Sequence, residues 1–142
     1  MIPAPPNRAV GYTGRNNQKV APEWVALRPS GAFYSTLQDM AKWDAVLNTD
    51  LVLSRETRHE MWTPVRLAGG STYPYGFGWH VETRKGRRVV WHGGGLPGFA
   101  SYFGRFLDDH LSVIMFANGD DVDLIAVGHG VADLYLPASL AH

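Results

Sequence analysis

Three consecutive glycines behind a histidine, His92-Gly93-Gly94-Gly95, stand between two strand-like runs and constrain this chain more than any other stretch of it. Arg88-Val89-Val90-Trp91 leads in, and Leu96-Pro97-Gly98 leads out into an alternating stretch from Phe99 to Phe106. Glycine adds backbone entropy and no buried side chain, so three in a row are poor material for a sheet interior. They suit a place where a bound molecule lies against the backbone and meets bare N–H groups, as an oxyanion or carboxylate does. A lone histidine at a strand end is most often a hydrogen-bonded structural residue. The glycines behind this one favour a ligand-facing group, able to carry charge or pass a proton near neutral pH.

The rest of the pattern predicts an α+β fold, an antiparallel β-sheet flanked by helices, within one domain of 142 residues. Residues 1–29 carry Pro3, Pro5, Pro6, Pro22 and Pro29 and read as an irregular lead-in, with Gly11-Tyr12-Thr13-Gly14 as a short extended piece. Ser35 or Thr36 caps a helix in which Leu37, Met40, Ala41, Trp43 and Leu47 recur at helical spacing to about Asn48. Ser54 caps a second helix, Arg55 to Trp62, which Pro64 ends. Gly76 to Thr83 and Arg88 to His92 read as a hairpin around the polar turn Arg84-Lys85-Gly86-Arg87. Leu107 to His110 turns the chain into Leu111–Ala117, whose unbroken apolar character predicts burial on both faces. A last helix is expected from Val122 to about Leu136, with Leu124, Val127, Val131, Leu134 and Tyr135 on its apolar face. Gly128 and Gly130 lie inside it, each weakening it by about 1 kcal/mol relative to alanine.

Thirteen basic and thirteen acidic residues cancel, with no dense Lys/Arg run, so nucleic acid and anionic membrane are not expected partners. No apolar run approaches the ~20 residues of a membrane span, and the first residues hold no signal-peptide core. The expectation is a soluble chain whose compartment stays open. With no cysteine there is neither disulfide nor thiolate chemistry.

Gly93-x-Gly95-x-x-Gly98 matches the dinucleotide fingerprint in form, but that motif opens a helix, and Phe99-Ala100-Ser101-Tyr102-Phe103 alternates like a strand. His-Gly-Gly-Gly also occurs as an oxyanion loop of α/β-hydrolases, which need a downstream G-x-S-x-G elbow; Gly98-Phe99-Ala100-Ser101 puts the serine one place late. The six histidines, at 59, 80, 92, 110, 129 and 142, show no zinc spacing, though His80 and His92 could face each other across the hairpin. No metal and no cofactor is expected. Trp79, Trp91, Phe77 and Phe99 read as sheet packing rather than a substrate cleft. Asp120, Asp121 and Asp123 read as charges at a helix start, and Arg84 to Arg88 as a solvated turn.

Several stretches, taken in order, resemble the C-terminal part of the serine β-lactamase and penicillin-binding-protein superfamily, in its class C-like branch of esterases and D-amino-acid peptidases. They are Arg8-Ala9-Val10-Gly11-Tyr12, Ser30-Gly31-Ala32-Phe33-Tyr34-Ser35-Thr36 with Asp39-Met40-Ala41-Lys42-Trp43, and Leu53-Ser54 with Met61-Trp62-Thr63-Pro64. Tyr75-Gly76-Phe77-Gly78-Trp79, His92 to Phe99 and Phe116-Ala117-Asn118-Gly119-Asp120 follow. By that resemblance His92-Gly93-Gly94 stands where the family has K-T-G. Gly95 would then supply one N–H of an oxyanion hole, with His92 the catalytic polar group beside the substrate and Gly93 and Gly94 its binding backbone. The implied chemistry is acylation of a serine by a small ester, amide or peptide, then hydrolysis.

The resemblance breaks at the nucleophile. No serine here is followed three residues later by lysine, and no tyrosine two later by asparagine, so the S-x-x-K and Y-x-N motifs are absent. The expectation is a C-terminal segment over residues 1–142, inactive by itself. Strand 111–117, bordered in the family by strands from elsewhere, would then offer an edge for homo-oligomer formation. The alternative is a non-catalytic binding or self-assembling module that uses the glycine-lined groove.

Overall fold

The computed structural model describes residues 6–22 and 29–136. Its centre is a four-stranded antiparallel sheet in sequence order: β5 (His80–Arg84), β6 (Arg87–Leu96), β7 (Phe99–Phe106) and β8 (Leu111–Ala117). Turn chemistry sets this succession. Lys85 and Gly86 have φ of 49° and 77°, the double left-handed geometry that matches hairpin twist, so β5 and β6 close with Arg84 opposite Arg87. Between β6 and β7 the turn is Pro97-Gly98, proline presetting the first dihedral and Gly98 taking a φ of 83°.

Ahead of the sheet run two helices, α1 (Leu37–Val46) and α2 (Arg55–Met61), and α3 (Leu124–Tyr135) follows it. Thr36 caps α1 by accepting from the Asp39 N–H at 3.1 Å, and Ser54 caps α2 through Thr57 N–H at 3.1 Å. The last helix starts at Leu124, not Val122, because Asp123 takes the cap and accepts from Ile125 and Ala126 N–H. Arg58 organises the link between α1 and α2, donating to the carbonyls of Thr49 and Leu53 and to Asp50.

Strand side chains alternate between faces, so the sheet has two cores. On one face Val89, Tyr102, Phe106 and Val113 pack with Leu124 and Ala132 of α3. On the other Val90, Phe103 and Trp79 pack with Leu47 at the end of α1, bordered by Met40, Met61 and Trp62. Arg105, 4% exposed, fastens this second layer: its Nε donates to Asp44 at 2.8 Å and its guanidinium lies over the Trp62 ring. This is the expected α+β architecture, an antiparallel sheet flanked by helices.

Other expectations change as well. The strand expected from Gly76 begins at His80, because Gly76–Trp79 closes a tight turn (Gly76 N–H to Trp79 C=O, 2.8 Å) with Gly78 at a φ of 79°. Strand β8 is not buried on both faces: Val113 is buried but Phe116 is 42% exposed, because β8 is the edge of the sheet among the described residues. The described part of the lead-in is also less irregular than its prolines suggest. β1 (Tyr12–Thr13) pairs with β2 (Lys19–Val20), and a second short pair, β3 (Val65–Arg66) with β4 (Thr72–Tyr73), precedes the main sheet.

Asp120 and Asp121, expected as helix-start charges, instead tie this lead-in to the end of β8. The carboxylate of Asp120 accepts from Thr13 Oγ1 at 2.7 Å and Gly98 N–H at 3.0 Å, which holds it below the usual carboxylate range. Asp121 accepts from Asn16 N–H at 2.7 Å.

Candidate active-site edge

Strand β6 is longer than its first partner. β5 pairs with it only from Arg87 to Trp91, ending at His80↔Trp91, whereas β7 follows it from Val89 to Leu96. Among the described residues the segment His92-Gly93-Gly94-Gly95 is therefore paired on one side only, against Phe103, Tyr102, Ser101 and Ala100 in turn.

The direction of its amides follows from the ladder. In an antiparallel pair a residue's N–H and C=O face the same neighbour, and the neighbour alternates along the strand. Leu107 N–H donates to Arg88 C=O at 3.0 Å, so Arg88 and every second residue after it, including His92 and Gly94, address β7. Val89, Trp91, Gly93 and Gly95 address the opposite side. There Val89 and Trp91 meet Glu82 and His80 of β5, while Gly93 and Gly95 lie beyond its end. Among the described residues no strand pairs with that stretch of edge.

The glycines are not there to relieve crowding at these two positions. A Cβ on Gly95 would meet nothing within 4 Å, and one on Gly93 would make only ordinary contacts, the nearest 3.6 Å from Ser101 O. Neither has a left-handed φ. Room for a side chain that the sequence leaves empty is room for a ligand close to the backbone. His92, Gly94 and Gly95 are exposed and Gly93 is half-buried, so the edge is accessible.

The histidine of the motif is held. Its Nε2 lies 2.9 Å from the hydroxyl of Tyr75. Tyr75 stands edge-on to His80 with ring centroids 4.9 Å apart, and His80 stacks on Trp91 at 4.2 Å. Burial, with the nearby His92 ring adding to it, pushes His80 below its ordinary value of 6.5 and keeps it neutral at neutral pH. His80 and His92 do approach, at 5.6 Å between centroids, but among the described residues no three histidine, cysteine or carboxylate side chains gather to hold a metal ion. Tyr75 was within a recognisable stretch of sequence but carried no signal of this role, because the contact joins residues 17 positions apart across a turn.

The aromatic residues divide. Trp79 is 8% exposed and packs edge-on against Phe103 at 5.2 Å, and Trp91 lies between His80 and Tyr102, so these are sheet packing as expected. Phe77 departs from that: it is 71% exposed at the tip of the turn before β5.

Fold and sequence lead to the same class. The sequence profile of the Beta-lactamase family matches residues 2–134, and the chain belongs to that family. It is similar to penicillin-binding protein 4* of Bacillus subtilis (strain 168), 32% identical over 97 residues, which are 67% of this chain and 21% of that protein. It is also similar to the D-aminopeptidase of Gluconobacter oxydans (strain 621H), 29% identical over 120 residues, 81% of this chain and 22% of the other. Among solved structures, the octameric penicillin-binding protein homologue from Pyrococcus abyssi superposes with a TM-score of 0.75 at 20% identity, over 89% of this chain and 30% of that one. This last likeness is one of fold. The chain spans about a fifth of the length of these curated relatives. Among the described residues, no helix is long and apolar enough to cross a membrane.

Proposed function

We propose that this chain is the C-terminal segment of a serine hydrolase of the β-lactamase family and supplies the oxyanion-binding edge for acyl transfer from a small ester, amide or peptide. The observation that carries the reading is the unpaired stretch of β6, where Gly93 and Gly95 present backbone to an accessible groove. In this reading the substrate carbonyl lies along the strand, Gly95 N–H donates to the oxygen that becomes negative, and Gly93 seats the substrate; Gly94, expected beside it, instead turns its backbone to β7. His92 is the polar group beside it. A preorganised donor of this kind lowers an acyl-transfer barrier by about 3 kcal/mol. The attacking serine and its base, S-x-x-K with Y-x-N, come from sequence outside these 142 residues. Histidine in the place of the family's lysine favours esters over substrates that need a carboxylate clamp.

The test is reconstitution. Alone, the chain leaves nitrocefin and p-nitrophenyl esters at background. Mixed with a family segment carrying S-x-x-K and Y-x-N, it hydrolyses one of them, and His92→Ala removes that activity. Hydrolysis by the isolated chain that His92→Ala abolishes would overturn the division of labour.

A second reading, the self-assembling module, is favoured by a different observation: the outer edge of β8 is unpaired among the described residues and carries the apolar run Val113-Ile114-Met115-Phe116. Edges of this kind pair with further strands, here those of another copy.

A further inference from the structure

Tyr75 lies outside the main ladder, at a lone antiparallel bridge to His80 just ahead of β5. Its backbone is held from several directions. Val65 N–H donates to its carbonyl at 2.9 Å, its own N–H reaches Tyr73 C=O at 2.7 Å, and Val81 N–H bonds the preceding Pro74 carbonyl at 3.1 Å. The next residue, Gly76, rests on the end of α2 so closely that a Cβ would collide with the Met61 carbonyl, to which Phe77 N–H donates at 3.1 Å. The ring is braced edge-on by His80, itself stacked on Trp91. A framework therefore delivers the phenol to His92.

We propose that Tyr75 is the positioning residue of this site. Its hydroxyl donates to Nε2 of His92, fixes the neutral imidazole as the Nδ1–H tautomer, and leaves Nδ1–H as the donor a substrate meets. The choice of a phenol matters. A neutral imidazole accepts through one nitrogen only, and an imidazolium donates through both. A hydroxyl serves either state by turning its proton, whereas a carboxylate there would only accept and would hold the ring charged. Tyr75 thus orients His92 in either protonation state. That suits a group meeting the uncharged carbonyl of an ester or amide and then the oxyanion formed from it. The inference deepens the proposed function and rests on it for the chemistry, but the tautomer can be read without turnover.

Long-range proton–nitrogen correlation spectra of the 142-residue chain, titrated across neutral pH, report the protonation and tautomer of His92 separately. The expected wild-type result for the neutral ring is protonated Nδ1 and bare Nε2. Tyr75→Phe keeps the ring against His80 and shifts His92 toward the Nε2–H form, with the His80 signals unmoved as the control. An Nε2–H tautomer in the wild type, or one that Tyr75→Phe does not change, overturns the proposal. If Tyr75→Phe does not fold, the wild-type spectrum decides alone. Failed reconstitution would leave this result standing, and a wrong tautomer would leave the reconstitution standing, so the two readings fail separately.

Discussion

Gly128 of α3 lies so close to Tyr102 of β7 that a Cβ on the glycine would stand 2.5 Å from the ring carbon Cε1. Gly104, two residues along the same strand, leaves the matching space for the phenol oxygen. Tyr102 is fully buried between them, its hydroxyl has no hydrogen-bond partner among the described residues, and burial pushes its pKa up to about 12. Helix and sheet approach through a glycine because the tyrosine fills the gap.

The two glycines inside α3 should therefore respond in opposite ways to alanine. Gly128→Ala pushes on a ring that cannot move and should destabilise by about 1–2 kcal/mol, overpacking outweighing the helix gain. Gly130 is exposed with nothing within 4 Å of a Cβ, so Gly130→Ala should stabilise by about 0.5–1 kcal/mol. Urea unfolding of the two variants beside the wild type measures both signs.

Breaking the Arg105–Asp44 pair should hurt more than breaking a surface pair. Arg105 is buried, and Asp44 also accepts from Ser112 Oγ at 2.7 Å, so one carboxylate links α1 to both β7 and β8. Asp44→Ala leaves a buried guanidinium without its counter-charge, and the expected loss is about 2–4 kcal/mol. Lys42→Ala, which removes the exposed Lys42–Asp39 pair, should leave stability close to that of the wild type.

Mild acid should weaken the fold through its half-buried histidines. Burial holds His129 below its ordinary value of 6.5, and its Nε2 stands 3.5 Å from Glu82, too far for a good hydrogen bond. His80 is depressed in the same direction. The unfolded chain then binds more protons than the folded one, so stability is complete above about 6.5 and falls as pH drops below it. Tm measured from neutral pH downward should decline, and His129→Phe should flatten part of that slope. A Tm that rises as pH falls through this window would contradict the argument.

The β8 edge should make the chain associate as concentration rises. Light scattering is expected to give a mass above that of one copy, and Phe116→Lys, placing a charge on the exposed part of that strand, should lower it. A folded monomer throughout the concentration range would dismiss the edge as an interface.

Much of this architecture could be read from local chemistry. Thr36 and Ser54 act within four residues of themselves, and the Lys85-Gly86 turn is written in two, so the starts of α1 and α2 and the β5–β6 hairpin were legible. The His92-Gly93-Gly94-Gly95 segment announced a backbone that something must approach, but the strand expected to end at His92 runs on through the glycines to Leu96, because β7 pairs with all of them. The tight turn at Gly76–Trp79 was harder, since its glycines fit a strand-like run equally well until Met61 is in place beside them.

Composition and order of residues thus determined the kinds of element, their antiparallel succession and the family. Which amides of the glycine run are left unpaired, and which phenol meets His92, came only from the tertiary structure. The physical reason is range. Caps and turns are satisfied by neighbours in sequence, whereas the free edge exists because β5 stops at His80 while β6 continues to Leu96, and the Tyr75 contact exists because the chain turns back on α2 before β5 begins.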